Sequence, residues 1–163
     1  MAEYGKPMLL VNLLRYIRQF TSKADKSVKY FCWREDIVEI NWLAGADIKL
    51  PALKGTSHIA SLCDWAEAKP EVKLLVLTDG YFKLSASQRS VISQLDNLYL
   101  VGVGGDADLK QLRRVSDYSF CAEQLDHALQ TIYRPKVVTL APLNQVELLK
   151  MNDNNGMEDD DEW

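Results

Sequence analysis

Apolar residues fall at three- and four-residue spacing between Pro7 and Thr21, where Leu9, Leu10, Leu13, Leu14, Ile17 and Phe20 face away from Arg15, Arg18 and Gln19. That spacing predicts an amphipathic helix. The pattern then changes. Val28–Trp33 and Asp36–Ile40 read as two strands joined at Arg34-Glu35, and so short a link predicts an antiparallel pair. Residues 45–55 hold Gly and Pro with no sustained period, a loop leading into a helix from about Ser57 to Ala68 that Pro70 closes.

Further along, Lys73–Thr78 is a short unbroken apolar run, the signature of a strand covered on both faces, and it is expected to be the centre of the sheet. Ser85–Leu95 predicts a helix, Leu98–Val103 a second buried strand, and Asp108–Val115 another helix. A brief strand at Tyr118–Phe120 and a helix over Glu123–Tyr133 follow. Strands alternating with helices at these spacings predict an α/β fold: a mostly parallel, Rossmann-like sheet with helices on both faces and one antiparallel edge hairpin. Lys136–Leu140 has the composition of one more strand, and Leu143–Met151 that of a short helix.

The 163 residues, 47% of them hydrophobic, suffice for one core, so a single domain over residues 1–151 is expected. Residues 152–163 bury too little to fold and are expected to form a disordered acidic tail. Charge supports that division. From Met151 onward there are six Asp or Glu and no Lys or Arg; removing this −6 from the total of −4 leaves the body at +2. A nearly neutral body gives no electrostatic case for nucleic acid. No apolar run nears the roughly 18 to 20 residues of a membrane span, and Met1–Pro7 has no signal-like stretch. A cytoplasmic protein is expected. Cys32, Cys63 and Cys121 are odd in number, widely spaced and set among apolar residues, which predicts inert core thiols in preference to disulfides or a zinc site.

Functional loops of open parallel sheets lie at the carboxyl ends of the strands. Two segments stand out there: Thr78-Asp79-Gly80 directly after the first buried strand, and Lys54-Gly55-Thr56-Ser57 before the helix expected to pack beside it. With these come a strand ending Val101-Gly102-Val103-Gly104-Gly105-Asp106-Ala107-Asp108-Leu109 and a helix carrying Leu112-Arg113-Arg114-Val115-Ser116-Asp117. Their order resembles the von Willebrand factor A-like (vWA) domain from about Lys6 to Tyr133. The resemblance implies a cation site, usually magnesium, in which Thr56 and Asp79 match two ligand positions, with a coordination position left for a partner's carboxylate. The family's Asp-x-Ser-x-Ser motif and first strand have no counterpart here, so the site is incomplete unless the missing ligands are supplied. Met1–Pro7 followed by a helix looks like such a domain cut just after that motif.

The missing strand should lie between the Val28 and Lys73 strands, and its loss would leave buried backbone groups unpaired. Lys136–Leu140 could fold back into the place, a partner or second copy could donate a strand, or the chain could be part of a longer product. The first needs no second molecule. What the resemblance implies overall is a non-enzymatic protein-protein interaction module, a scaffold or adaptor working beside a chaperone-type ATPase or larger assembly. Its partner edge would comprise Thr56, Ser57, Asp79, Gly80, Gly104 and Asp106.

Plainer readings accompany each residue. Asp79 suits a turn, and Thr56 or Ser57 suits a helix N-cap. Gly102-x-Gly104-Gly105 could cradle a nucleotide phosphate in a small Rossmann-like enzyme, although the glycine spacing departs from the dinucleotide fingerprint and Asp106 and Asp108 would repel phosphate. Lys110, Arg113 and Arg114 share one helix and could touch nucleic acid. His58 and His127 have no nucleophile at a fixed offset and read as structural. Trp33, Trp42 and Trp65 read as core or hairpin-facing aromatics, and the tail ending at Trp163 as a solubilising segment or one that docks a basic groove.

Overall fold

The computed structural model describes residues 2–51 and 57–134, with side chains from Pro7 onward. Its elements, in chain order, are helix α1 (Ala2–Lys23), strands β1 (Tyr30–Trp33) and β2 (Ile37–Ile40), helix α2 (Ile59–Glu67), strand β3 (Leu74–Thr78) and helix α3 (Ala86–Ile92). Then come strand β4 (Leu98–Gly102), helix α4 (Leu109–Val115), strand β5 (Ser119–Cys121) and helix α5 (Leu125–Tyr133), the last entered through a 3-10 turn at Ala122–Gln124. The segments read as an extra strand at 136–140, a helix at 143–151 and a tail at 152–163 lie outside the described residues, as does Thr56.

The chain is α/β. β3, β4 and β5 form a parallel sheet in that order, with Leu74 opposite Leu98 and Val101 opposite Phe120. β1 and β2 form a separate antiparallel hairpin with Trp33 opposite Ile37. Two expectations are corrected here. Among the described residues β4, not the Lys73–Thr78 strand, has a strand on each side, and every residue of β4 is buried whereas β3 is mostly half-buried. The hairpin, moreover, is not hydrogen-bonded to the edge of that sheet among the described residues.

Both faces of β4 are covered. Leu98 and Leu100 pack with Ile59, Leu62 and Cys63 of α2, Ile92 of α3 and Leu112 and Val115 of α4. Tyr99 and Val101 turn the other way, to Ile17 of α1 and Leu125, Ala128, Leu129 and Ile132 of α5. An unbroken apolar strand is what this two-sided burial demands.

Helices α1 and α2 also reach across to the hairpin. On the α2 side, Phe31 meets Trp65 edge-on at 5.4 Å between ring centroids, and Trp33 meets Phe82 at 6.2 Å. On the α1 side, Tyr30 joins the cluster of Ile17, Leu75 and Leu77, while Arg18 lies 4.4 Å over the Trp42 ring. The hairpin is therefore in contact with both α1 and α2.

α1 starts five residues earlier than the periodicity implies and contains Pro7, which removes one i→i−4 hydrogen bond without ending the helix. α2 is capped at His58, not at Ser57, and no side-chain cap bond forms there. The His58 N–H donates to Arg34 O (3.0 Å), and its carbonyl accepts from Trp33 Nε1 (2.8 Å), so contact with the hairpin sets where the helix starts. Of the three thiols only Cys63 is buried; Cys32 and Cys121 are half-buried, and all three are free.

Candidate functional site at the carboxyl rim of the sheet

The loops after β3 and β4 meet because their strands are parallel and in register, with Thr78 opposite Gly102. Val103 N–H donates to Thr78 O at 2.8 Å, extending the ladder one step into the loops, and Asp108 N–H donates to Asp79 O at 2.8 Å. Gly80 is buried with φ +83°. A Cβ at that position would lie 3.0 Å from Asp108 O and 3.4 Å from Leu112 Cδ2, so both backbone conformation and space call for glycine.

Asp79, Gly80, Gly104 and Asp106 thus share one rim. Asp79 is half-buried, and its Oδ1 accepts from Tyr81 N–H at 3.2 Å, an Asx-type turn. Gly104 has φ +105°, and its carbonyl accepts from Ala107 N–H at 3.2 Å. Asp106 is exposed. Ser57, half-buried, precedes the His58 cap. Whether Thr56 approaches Asp79 concerns a position outside the described residues; among the described residues no three His, Cys, Asp or Glu side chains gather into a metal-holding group.

One rim residue escaped the sequence reading. Tyr81 is 61% exposed, and its hydroxyl donates to Asp106 O at 2.6 Å, so an aromatic ring stands out over the rim. Its position directly after Thr-Asp-Gly was the only sequence signal. Asp108 caps α4, its Oδ1 accepting Gln111 N–H at 2.9 Å. That carboxylate occupies the place a phosphate would need. Gly102 serves packing instead of ligand approach: a Cβ there would sit 2.5 Å from Leu109 Cδ2 and 3.3 Å from Ala107 Cβ.

Arg113 and Arg114 lie elsewhere. They line a pocket of about 240 Å³ with Asp96, Asp117 and Tyr118, beside the amino ends of β4 and β5, opposite to the Asp79 rim. A larger open pocket, about 550 Å³, lies where the C-terminal part of α1 meets the hairpin, lined by Arg18, Lys26, Lys29, Tyr30, Glu39 and Trp42 among others. The Tyr30 hydroxyl is buried there and makes no hydrogen bond of ordinary geometry among the described residues. Burial pushes its phenol pKa up, offset in part by the nearby Thr21 hydroxyl and Arg18 guanidinium.

His58 and His127 are helix-end and packing residues, His127 edge-on to Phe120 at 5.6 Å. Among the described residues no helix is long and apolar enough to cross a membrane. Comparison with protein families, with curated proteins and with solved structures finds no match for this chain.

Proposed function

We propose that the chain is a protein-interaction module, a Rossmann-like domain of vWA type, that binds a protein partner through the rim of Asp79, Gly80, Tyr81, Gly104 and Asp106 and acts as a scaffold or adaptor. The observation that carries this reading is the Tyr81 ring, held out over the rim by its bond to Asp106 O. Exposed aromatics backed by a fixed hydrogen bond supply contact area at small entropic cost. The flanking Asp79 and Asp106 suit a basic complement on the partner, such as one subunit of a chaperone-type ATPase or larger assembly. Magnesium belongs to this proposal only if Thr56 and further ligands complete the Asp79 site.

The rival is a small enzyme holding a nucleotide at the Gly102–Asp108 loop. Against it stands the Asp108 carboxylate at the start of α4, which satisfies the Gln111 N–H and repels phosphate. The distinguishing experiment uses a partner identified by affinity capture and its binding constant measured with purified protein. Tyr81→Ala and Asp79→Ala each weaken that binding by about tenfold or more, while Arg113→Ala, beside the amino ends of the strands, leaves it unchanged. Thermal stabilisation by NAD, ATP or S-adenosylmethionine, abolished by altering Gly104, would overturn the module reading in favour of the enzyme.

A further inference from the structure

Helix α1 closes on its own carbonyls before the chain enters the hairpin. Asp25 takes the left-handed conformation (φ 52°), Lys26 N–H donates to Thr21 O at 2.9 Å and Ala24 N–H donates to Phe20 O at 3.1 Å. Such a reversal satisfies the last helical carbonyls. It brings Lys26 beside the helix end, and the chain then enters β1 through Lys29 and Tyr30. In the hairpin register Ile40 stands opposite Tyr30 and Glu39 opposite Phe31. Trp42, just past β2, comes back to the Tyr30 ring, edge-on at 5.1 Å between centroids. These segments wall the pocket of about 550 Å³.

The charges on its walls do not balance. Arg18, Lys26 and Lys29 stand against a single carboxylate, Glu39, an excess of two positive charges. Glu39 reaches Lys29 at 3.5 Å, and among the described residues no carboxylate pairs with Arg18 or Lys26. Arg18 is held in place. Its guanidinium lies 4.4 Å over the Trp42 ring and one N–H donates to Leu43 O at 3.2 Å, which leaves its remaining donors for another acceptor. Trp42 is in turn tied down by its Nε1 bond to Ala46 O at 2.9 Å. A guanidinium ordered in this way loses little side-chain entropy when it grips an anion. In the same wall the Tyr30 hydroxyl is buried with no ordinary hydrogen bond among the described residues, and an oxygen of a bound ligand or its water is the usual partner of such a group.

We infer that this pocket binds a small organic phosphate monoester. Such a group carries about −1.5 to −2 charge near neutral pH, which matches the excess on the walls, whereas a single carboxylate matches half of it. Its several acceptor oxygens suit cations arriving from three directions: α1, the turn after it, and the start of β1. The volume exceeds what bare phosphate fills and lies within the roughly 300–1,000 Å³ of small-molecule sites. Ser22 and Asn41, both exposed on the walls, offer hydroxyl and amide groups to a hydroxylated body such as a sugar. No residue of the Asp79 rim takes part, so the inference stands apart from partner binding there.

Titration of the full chain with ribose 5-phosphate, followed by amide chemical shifts at low salt, tests it; a Kd below about 1 mM is expected, with the shifts gathered in residues 18–42. Free ribose should not bind, and inorganic phosphate should bind at least about tenfold more weakly. Lys26→Gln is expected to weaken binding about threefold and Arg18→Gln about tenfold, while Lys110→Gln on α4 leaves it unchanged. Glu39→Gln, which frees Lys29 and adds to the positive excess, is expected to strengthen binding about threefold, a change of sign that no damaged fold can imitate. Absence of localised shifts up to about 10 mM ligand would overturn the inference, as would equal losses from Lys26→Gln and Lys110→Gln, or weaker binding by Glu39→Gln. Inorganic phosphate binding as tightly as ribose 5-phosphate would overturn the ester reading and leave the free ion as the ligand.

Discussion

The Tyr81 hydroxyl donates to the Asp106 carbonyl at 2.6 Å, joining the loop after β3 to the loop after β4 across 25 residues of sequence. With the backbone bonds from Val103 to Thr78 and from Asp108 to Asp79, it joins the two pieces from which the rim is built.

Tyr81→Phe keeps the ring and deletes only that bond. Because the site is exposed, the loss of stability is expected to be small, about 0.5–1 kcal/mol by denaturant titration. Faster exchange at Asp106 and Ala107 than in the unmodified protein would be its local signature, and unchanged loop dynamics would show that the bond does not hold the rim.

Glycines at the rim should differ sharply in tolerance. Gly80→Ala forces a side chain into φ +83° and against Asp108 O, and is expected to destabilise by about 1–3 kcal/mol. Gly105→Ala meets nothing within 4 Å and is expected to change stability by less than about 0.5 kcal/mol. Equal midpoints for the two variants in thermal or denaturant unfolding would contradict this geometry.

Asn97 is 5% exposed and its Nδ2 reaches the carbonyls of Ala66 (3.3 Å), Lys69 (3.1 Å) and Val72 (3.0 Å), closing the end of α2 and the turn into β3. Asn97→Ala removes that shared donor, leaving Ala66 O and Lys69 O with their backbone bonds from Lys69 and Val72 N–H, and is expected to cost about 2 kcal/mol. Asn97→Asp should be worse near neutral pH, where the carboxylate faces carbonyls, and should recover as acid protonates it.

Burial beside Asp64 and Glu67 pushes the Cys63 thiol pKa up to about 11. The folded protein therefore holds a proton that the unfolded chain releases from about pH 9 upward, so stability is intact below that value, falls between pH 9 and about 11, and then levels off. The fall attributable to this thiol is at most about 3 kcal/mol. Cys63→Ala should flatten that part of the pH profile, and thiol-reactive reagents should modify Cys121 well before Cys63 in the folded protein.

Local patterns carried much of the architecture. The 3.6-residue period of α1 and α5, the alternation and tight link of the hairpin, and the apolar runs at Leu74–Leu77 and Leu98–Val101 are written in neighbouring residues, because which face a segment buries depends on its own spacing. The Thr78-Asp79-Gly80 turn was legible for the same reason: glycine's positive φ is a local demand.

Pairing is a different matter. The β3 and β4 runs look alike in sequence, and among the described residues only the long-range partnership of β4 with β5 gives β4 a strand on each side. The start of α2 at His58 depends on Arg34 and Trp33 in the hairpin, and the prominence of Tyr81 depends on Asp106, reached only after a full strand-helix-strand excursion. Residues far apart in the chain set these features, and their contacts acquire meaning only once hydrophobic burial has brought the strands into register; the sequence determined the elements, and the tertiary structure decided their neighbours.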